Sequence, residues 1–266
     1  MKIAFVGGGV MAEAIISGIV GAEVASPSDI CVGEPSETRR GHLEEAYSIQ
    51  TTPDNLEAIN GASLTVLAIK PQTLPYVYPQ LRDGLTQDNT VVSIVAGATM
   101  SNLTSGLGHA PIIRVMPNTP AQIGAGMTMW IASDAVPRET VETARSIVQT
   151  LGKEIYTSDE KMIDMATALS ASGPAYVFLF IESLIDAGVY LGLSREVSWQ
   201  LAIQTILGST QLVQDTGIHP AELKDMVTSP GGTTIEALRA FEEGGFRALV
   251  FSAVDAAYEK SKALGG

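Results

Sequence analysis

Near residue 158 the spacing of apolar residues changes period, and one layer of secondary structure cannot satisfy both halves. Before that point, short apolar runs at 3–6, 30–32, 64–69, 91–95, 112–116, 127–131 and 154–156 alternate with amphipathic stretches. Unbroken runs of this length fit strands covered on both faces, and their alternation with helices predicts an α/β fold built on a doubly wound parallel sheet. After it, apolar residues recur at three and four. Helices are predicted over 174–191, from behind Ser194 to about 213, after Pro220, from Thr233, and over 246–263. The chain therefore divides into residues 1–158, a sheet domain, and residues 159–266, an all-helical domain.

Charge narrows the partners. With 16 Lys and Arg against 29 Asp and Glu, the net charge of −13 opposes nucleic acid and anionic lipid, which leaves a small molecule as the expected ligand. The single cysteine, Cys31, excludes an intramolecular disulfide, and His42, His109 and His219 lack metal-ligand spacing, so no metal is expected. The N-terminus enters a strand pattern without the features of a signal peptide, and a cytoplasmic setting is expected. The run 175–181 falls short of the ~20 residues of a membrane span and is read as a buried helix. Tyr176, Phe178, Phe180, Trp130 and Trp199 are expected in cores. The apolar content of the helical half exceeds what a small bundle buries, which hints at a homodimer.

The first strand runs directly into Gly7-Gly8-Gly9-Val10-Met11-Ala12, a G-x-G-x-x-A pattern ahead of an amphipathic helix. In that context the glycines permit a tight turn and close backbone approach, and the helix N-terminus offers N–H groups to a pyrophosphate, as in Rossmann dinucleotide sites. Glu34, 25 residues past Gly9, stands where a carboxylate accepts from the adenosine ribose hydroxyls and favours NADH. Ser36, Arg39 and Arg40 follow closely and either accommodate the 2′-phosphate of NADPH or form an exposed helix start with a solvated charge run, so the choice between NADH and NADPH stays open. Lys70, in Ala68-Ile69-Lys70-Pro71, falls at a strand end, where cofactor, substrate or solvent can meet it. Ser93, Ile94, Val95, Ala96 and Gly97 close the next strand with small residues suited to a nicotinamide ribose, although an ordinary strand end reads the same way.

Five segments together resemble one family. They are residues 7–12, residues 68–71, Arg114-Val115-Met116-Pro117-Asn118-Thr119-Pro120, residues 168–176, and Asp225-Met226-Val227-Thr228-Ser229-Pro230-Gly231-Gly232-Thr233-Thr234, the most specific. Along essentially its whole length the chain is similar to the pyrroline-5-carboxylate reductases. The resemblance implies a Rossmann domain followed by a helical dimerisation domain, and reduction of 1-pyrroline-5-carboxylate to proline by NAD(P)H. By position it implies cofactor contacts at Val6, Gly7, Gly8, Gly9, Val10, Met11, Glu34, Asn55, Ala68, Ile69, Lys70, Pro71, Ile94, Val95 and Ala96. It also implies a substrate loop at Ser229, Gly231, Gly232, Thr233 and Thr234. Ala171 and Glu34 depart from the family's usual glycine and small polar residue.

Imine reduction needs a hydride donor held face-on and a grip on the substrate; because an imine is basic enough to arrive protonated, no strong enzyme acid is required. The absence of histidine from the matching motifs agrees with this. Thr233 and Glu236 have capping-box spacing, which gives the loop N–H groups and a helix dipole for the substrate carboxylate, with Thr234 at the ring nitrogen. Asn118 shapes either the nicotinamide end or a rigid turn. Two other readings compete. A hydroxyacid dehydrogenase needs a lysine in the first helical segment, and 165–184 contains neither Lys nor Asn. A catalytically silent dinucleotide-binding protein is opposed by the complete Ser229 to Thr234 loop.

Overall fold

Strand-length runs of isoleucine, valine and leucine set the first half of the computed structural model, which describes residues 1–265. The strands are β1 (Ile3–Val6), β2 (Ile30–Gly33), β3 (Gln50–Thr52), β4 (Leu64–Leu67), β5 (Thr90–Ser93), β6 (Ile112–Met116), β7 (Gly126–Ala132) and β8 (Gly152–Tyr156). Helices α1 (Val10–Gly21), α2 (Glu37–Tyr47), α3 (Asn55–Ile59), α4 (Leu74–Arg82), α5 (Met100–Leu107) and α6 (Arg138–Gln149) intervene. The sheet order is β3-β2-β1-β4-β5-β6-β7-β8, reversing direction of growth at β1 and β4. Ile3, Phe5, Ile16, Ile19, Leu64 and Trp130 fill one face of it, and Leu67, Leu81, Leu103 and Ile112 the other.

Two features differ from the sequence expectation. The sheet is parallel except that β7 pairs antiparallel with β6, placing Val115 opposite Trp130. Only residues 117–125 join these strands, too short a connection for the crossover that parallel pairing demands. The second is β3, whose Gln50-Thr51-Thr52 carries no apolar signature; it is a strand because the edge of β2 offers it a ladder. Strand bounds otherwise agree with the apolar runs to within two residues, and β6 coincides with its run.

Contacts divide the chain into two compact units, residues 1–173 with 256–266, and residues 174–255. In the first, α7 (Lys161–Ala166) passes into a single π turn, Thr167–Ala171, closed by the Ser172 N–H on the Thr167 carbonyl at 2.9 Å. The second contains α8 (Gly173–Tyr190), α9 (Arg195–Thr216), α10 (Pro220–Met226), α11 (Thr233–Glu243) and the first half of α12 (Phe246–Gly265). Ser194 caps α9 with its side chain accepting from the Val197 N–H, as its residue type predicts. Close approach of α8 and α9 is set by Gly188, where a Cβ would lie 2.6 Å from Ser198 Oγ. Phe180, Phe241 and Phe246 form a three-ring cluster with centroids 5.4–6.5 Å apart.

The helical unit buries little of its apolar surface by itself. Phe178 is 60% exposed and Trp199 54%, so of the tryptophans only Trp130 is a core residue, and 175–181 is not the buried helix that its composition suggests. Helical periodicity identifies an apolar face but not what covers it. By length and hydropathy, the helical stretch Lys161–Tyr190 also meets the measure of a membrane span, which the shorter run did not.

A buried charge holds the first unit together. Arg114 on β6 is fully enclosed; its Nη1 donates to Glu160 Oε1 at 2.8 Å and its Nη2 to Asp164 Oδ1 at 3.0 Å. Glu160 Oε1 also accepts from the Met100 N–H, and Asp164 Oδ1 accepts from Ser261 Oγ on the last turns of α12. Replacing one member of a buried pair strands its partners' charge. Because both carboxylates retain some water contact, Arg114→Ala is expected to cost about 3 kcal/mol, the lower end of the usual range. Denaturant unfolding monitored on Trp130 measures it.

Candidate active site

The turn after β1 is forced into glycine. Gly7 has φ +95°, its N–H donates to the Gly33 carbonyl at 2.8 Å, and a Cβ there would lie 2.6 Å from the Ala68 carbonyl oxygen. Val6, Gly7, Ala68 and Ile69 thus meet at the carboxyl ends of β1 and β4, where the strand order reverses and ligands bind in such sheets. Gly9 is the N-cap of α1, with no side chain satisfying the helix N–H groups and nothing within 4 Å of where its Cβ would stand. An open, uncapped helix start fits a pyrophosphate, so the residues present accommodate a dinucleotide. Val10 and Met11 open the helix itself, Val10 with its side chain exposed.

Glu34 follows β2. Its Oε2 accepts from the Gly8 N–H and its Oε1 from the Ser36 N–H, both at 2.9 Å. On the other side of the same glycine, Arg39 Nε donates to the Gly8 carbonyl while its Nη2 donates to Glu13. Arg40 Nη1 donates to the carbonyls of Glu34 and Pro35. Glu13 also holds His42 Nε2 at 2.8 Å and accepts from Tyr47 at 3.1 Å. Burial alone would push the Glu13 carboxyl up, but hydrogen bonds from His42, Arg39 and Tyr47 and the Arg39 charge outweigh it and hold the group below its ordinary value. Asn55 opens α3, with Nδ2 donating to Gln80 Oε1 at 3.1 Å and Oδ1 close to Gly33.

Farther along the sheet, Lys70 and Pro71 start a 3₁₀ turn after β4. Ile94 donates its N–H to the Leu67 carbonyl at 3.1 Å, and Val95 and Ala96 lead into Gly97 at φ +74°. Leu264 lies over Gly97 and, with Pro71, Tyr78, Ala96 and Asn102, lines an open pocket of about 340 Å³. Asn118 is occupied on every polar atom of its side chain: Oδ1 accepts from the Met127 N–H at 2.9 Å and Nδ2 faces Ser170. That engagement fits the rigid-turn reading.

In the helical unit the loop 229–232 turns through Gly231 at φ +64°, and the Gly232 N–H donates to the Ser229 carbonyl at 3.1 Å. Gly232, not Thr233, is the N-cap of α11, without a side-chain cap bond; the expected capping box does not form. Gly232 takes the extended cap conformation at no steric cost, which pushes Thr233 into the first turn and Thr234 behind it. The N–H groups there lack a capping side chain. Ser229 is exposed and its hydroxyl stands where a Gly232 side chain would begin. Sequence reading overlooked the Arg114 network and the Glu13 to Arg39 contact. A charged residue inside the otherwise apolar run 112–116 was the available signal for the first.

A glycine-turned switch point at the sheet and an all-helical unit with an uncapped glycine loop define a dinucleotide-dependent oxidoreductase of two parts. The family pattern described as pyrroline-5-carboxylate reductase dimerisation matches residues 160–264, and that described as NADP oxidoreductase, coenzyme F420-dependent, matches residues 2–97. The pyrroline-5-carboxylate reductase of Synechocystis is 43% identical over 265 residues, covering 100% of this chain and 98% of its own. That of Escherichia coli is 40% identical, with 99% and 98% covered. The crystal structure of Plasmodium falciparum pyrroline carboxylate reductase with NADP bound superposes with a TM-score of 0.92 at 35% identity, covering 100% and 98%. The chain belongs to the pyrroline-5-carboxylate reductase family.

Two expectations follow from the glycine turn. Gly7→Ala meets backbone and is expected to lower the thermal midpoint. Gly9→Ala meets nothing, so it is expected to melt near wild type yet bind NAD(P)H about tenfold more weakly, a loss of roughly 1.4 kcal/mol readable by fluorescence titration. A third concerns Glu13. Its folded pKa lies below the ordinary value of 4.5, so its stabilisation is present above that pH and is lost as pH falls through the folded value. The stability difference between wild type and Glu13→Gln is therefore expected to shrink from pH 7 to pH 3, followed by chemical denaturation.

Proposed function

We propose that Ser229, Gly231, Gly232, Thr233 and Thr234 hold 1-pyrroline-5-carboxylate and that residues 6–11, Glu34, Asn55, 68–71 and 94–96 hold the dinucleotide, with NADH preferred. As a member of its family the chain is an NAD(P)H-dependent oxidoreductase that reduces the C=N bond of 1-pyrroline-5-carboxylate to give proline. The observation that carries the assignment of residues is the start of α11. There, N–H groups without a capping side chain, a hydroxyl at Ser229 and the positive end of the helix dipole suit a carboxylate.

Bound NAD(P)H supplies the hydride that adds to the imine carbon. The chain's own residues do the rest: the loop N–H groups and Ser229 grip the carboxylate, and Thr234 hydrogen-bonds the ring nitrogen, which keeps the electron pair of the broken C=N π bond as the lone pair of a neutral secondary amine and then takes a proton from water. Substrate entering as the iminium ion carries its own proton, so positioning is the main contribution asked of the protein. The Glu34 carboxylate supports NADH, because it would repel a 2′-phosphate. Supporting a homodimer, α8 and α9 carry Phe178, Leu179, Trp199 and Leu201 exposed in the single chain, and the matched pattern is one of dimerisation. The same face, rather than lipid, accounts for the apolarity of 161–190, where Glu182 and Asp186 interrupt it. A cytoplasmic setting rests on the lone cysteine.

Initial rates of NADH and NADPH oxidation with 1-pyrroline-5-carboxylate test the reading, with turnover expected and NADH faster. Thr234→Ala is expected to lower kcat/KM for the imine by about ten- to a hundredfold, the worth of one hydrogen bond to a charged group. NADH affinity is expected to change less than about twofold. Equal loss of both would remove Thr234 from the imine.

A further inference from the structure

Both arginines that can reach a 2′-phosphate are already taken. Arg39 is bound to the Gly8 carbonyl and to Glu13, and Arg40 to the carbonyls of Glu34 and Pro35. The Glu34 carboxylate, meanwhile, occupies the Gly8 and Ser36 N–H groups, two donors that an incoming phosphate would otherwise use. Gly8 is thus held by a carboxylate on its N–H and a guanidinium on its carbonyl, which places Arg39 one peptide away from the carboxylate marking the ribose edge. Glu13 lies outside the glycine motif, on α1, and its carboxylate gathers Arg39, His42 and Tyr47.

We propose that Glu13 is a specificity-determining positioning residue, keeping Arg39 on the Gly8 carbonyl and out of the adenosine 2′ site so that NADH is selected over NADPH. The physical case has two parts. A 2′-phosphate brings up to two negative charges and needs a forked donor to repay its desolvation. Here the Arg39 guanidinium is neutralised by the Glu13 carboxylate, so removing Glu34 alone opens the space without releasing that donor. Glu13 touches neither substrate nor cofactor in this scheme; it acts through Arg39. The inference rests on the assignment of the glycine turn as the dinucleotide site.

The test measures binding of 2′,5′-ADP and 5′-AMP by calorimetry to wild type, Glu34→Ser, Glu34→Ser with Glu13→Ala, and that double variant with Arg39→Ala added. NADPH and NADH kcat/KM are measured in parallel. Glu34→Ser is expected to strengthen 2′,5′-ADP binding modestly. Adding Glu13→Ala is expected to strengthen it about five- to tenfold more, with 5′-AMP changed less than about twofold, and Arg39→Ala is expected to erase that gain. Glu13→Gln in place of Glu13→Ala gives the same test with the packing of α1 retained. A double variant no better than Glu34→Ser overturns the proposal, as does a gain that survives Arg39→Ala. If wild type binds NADH but the ratio does not move, only this inference falls; if NADH does not bind wild type, the dinucleotide assignment falls with it.

Discussion

The first unit depends on neutralising one guanidinium away from water. Arg114 sits in the middle of β6 with apolar neighbours on both sides, a position that an isolated charge cannot occupy without losing its hydration. Glu160 and Asp164 neutralise it from α7, and through them the network reaches the start of α5 by the Met100 N–H and the end of α12 by Ser261. Four segments far apart in sequence are fixed against each other by one cation. The strand that carries Arg114 continues into Asn118, whose amide in turn ties the entrance of β7 to the π turn. The antiparallel corner of the sheet and the π turn after α7 thus lie next to the same anchor.

The other end of the sheet is governed by space rather than charge. Between Gly7 and the Ala68 carbonyl there is no room for a methyl group, so β1 and β4 end flush and the helix α1 begins immediately. What is left open is the backbone of Gly9. Close packing on one side of the turn and emptiness on the other are what distinguish a binding turn from an ordinary connection, and they arise from adjacent residues of one type.

Much of this was legible. Period and run length located β1, β2 and β4 to β8 and the long helices, since burial on both faces leaves a continuous apolar string, and Ser194 and the glycines mark boundaries by local geometry alone. What escaped reading was set at a distance. β3 consists of polar residues and exists through its neighbour's edge. Arg114 needs partners 46 and 50 residues away. Phe178 and Trp199 have the pattern of core residues because they are apolar on a helical face, and pattern does not say which chain covers that face. In the candidate site, the glycine loop and the acidic residue after β2 were readable from spacing, whereas the occupation of Arg39 by Glu13 is a matter of side-chain reach. Thr233 was displaced by one position because glycine fills a cap more cheaply than threonine fills it well.

That residues 256–265 belong with the first unit has a bearing on how the molecule comes into being. Ser261 and Leu264 complete the Arg114 network and cover Gly97, yet in order of synthesis they follow every residue of the helical unit. During translation every strand of the sheet is made before these last two supports exist. The last contacts of the sheet unit are thus supplied only after the helical unit has been synthesised.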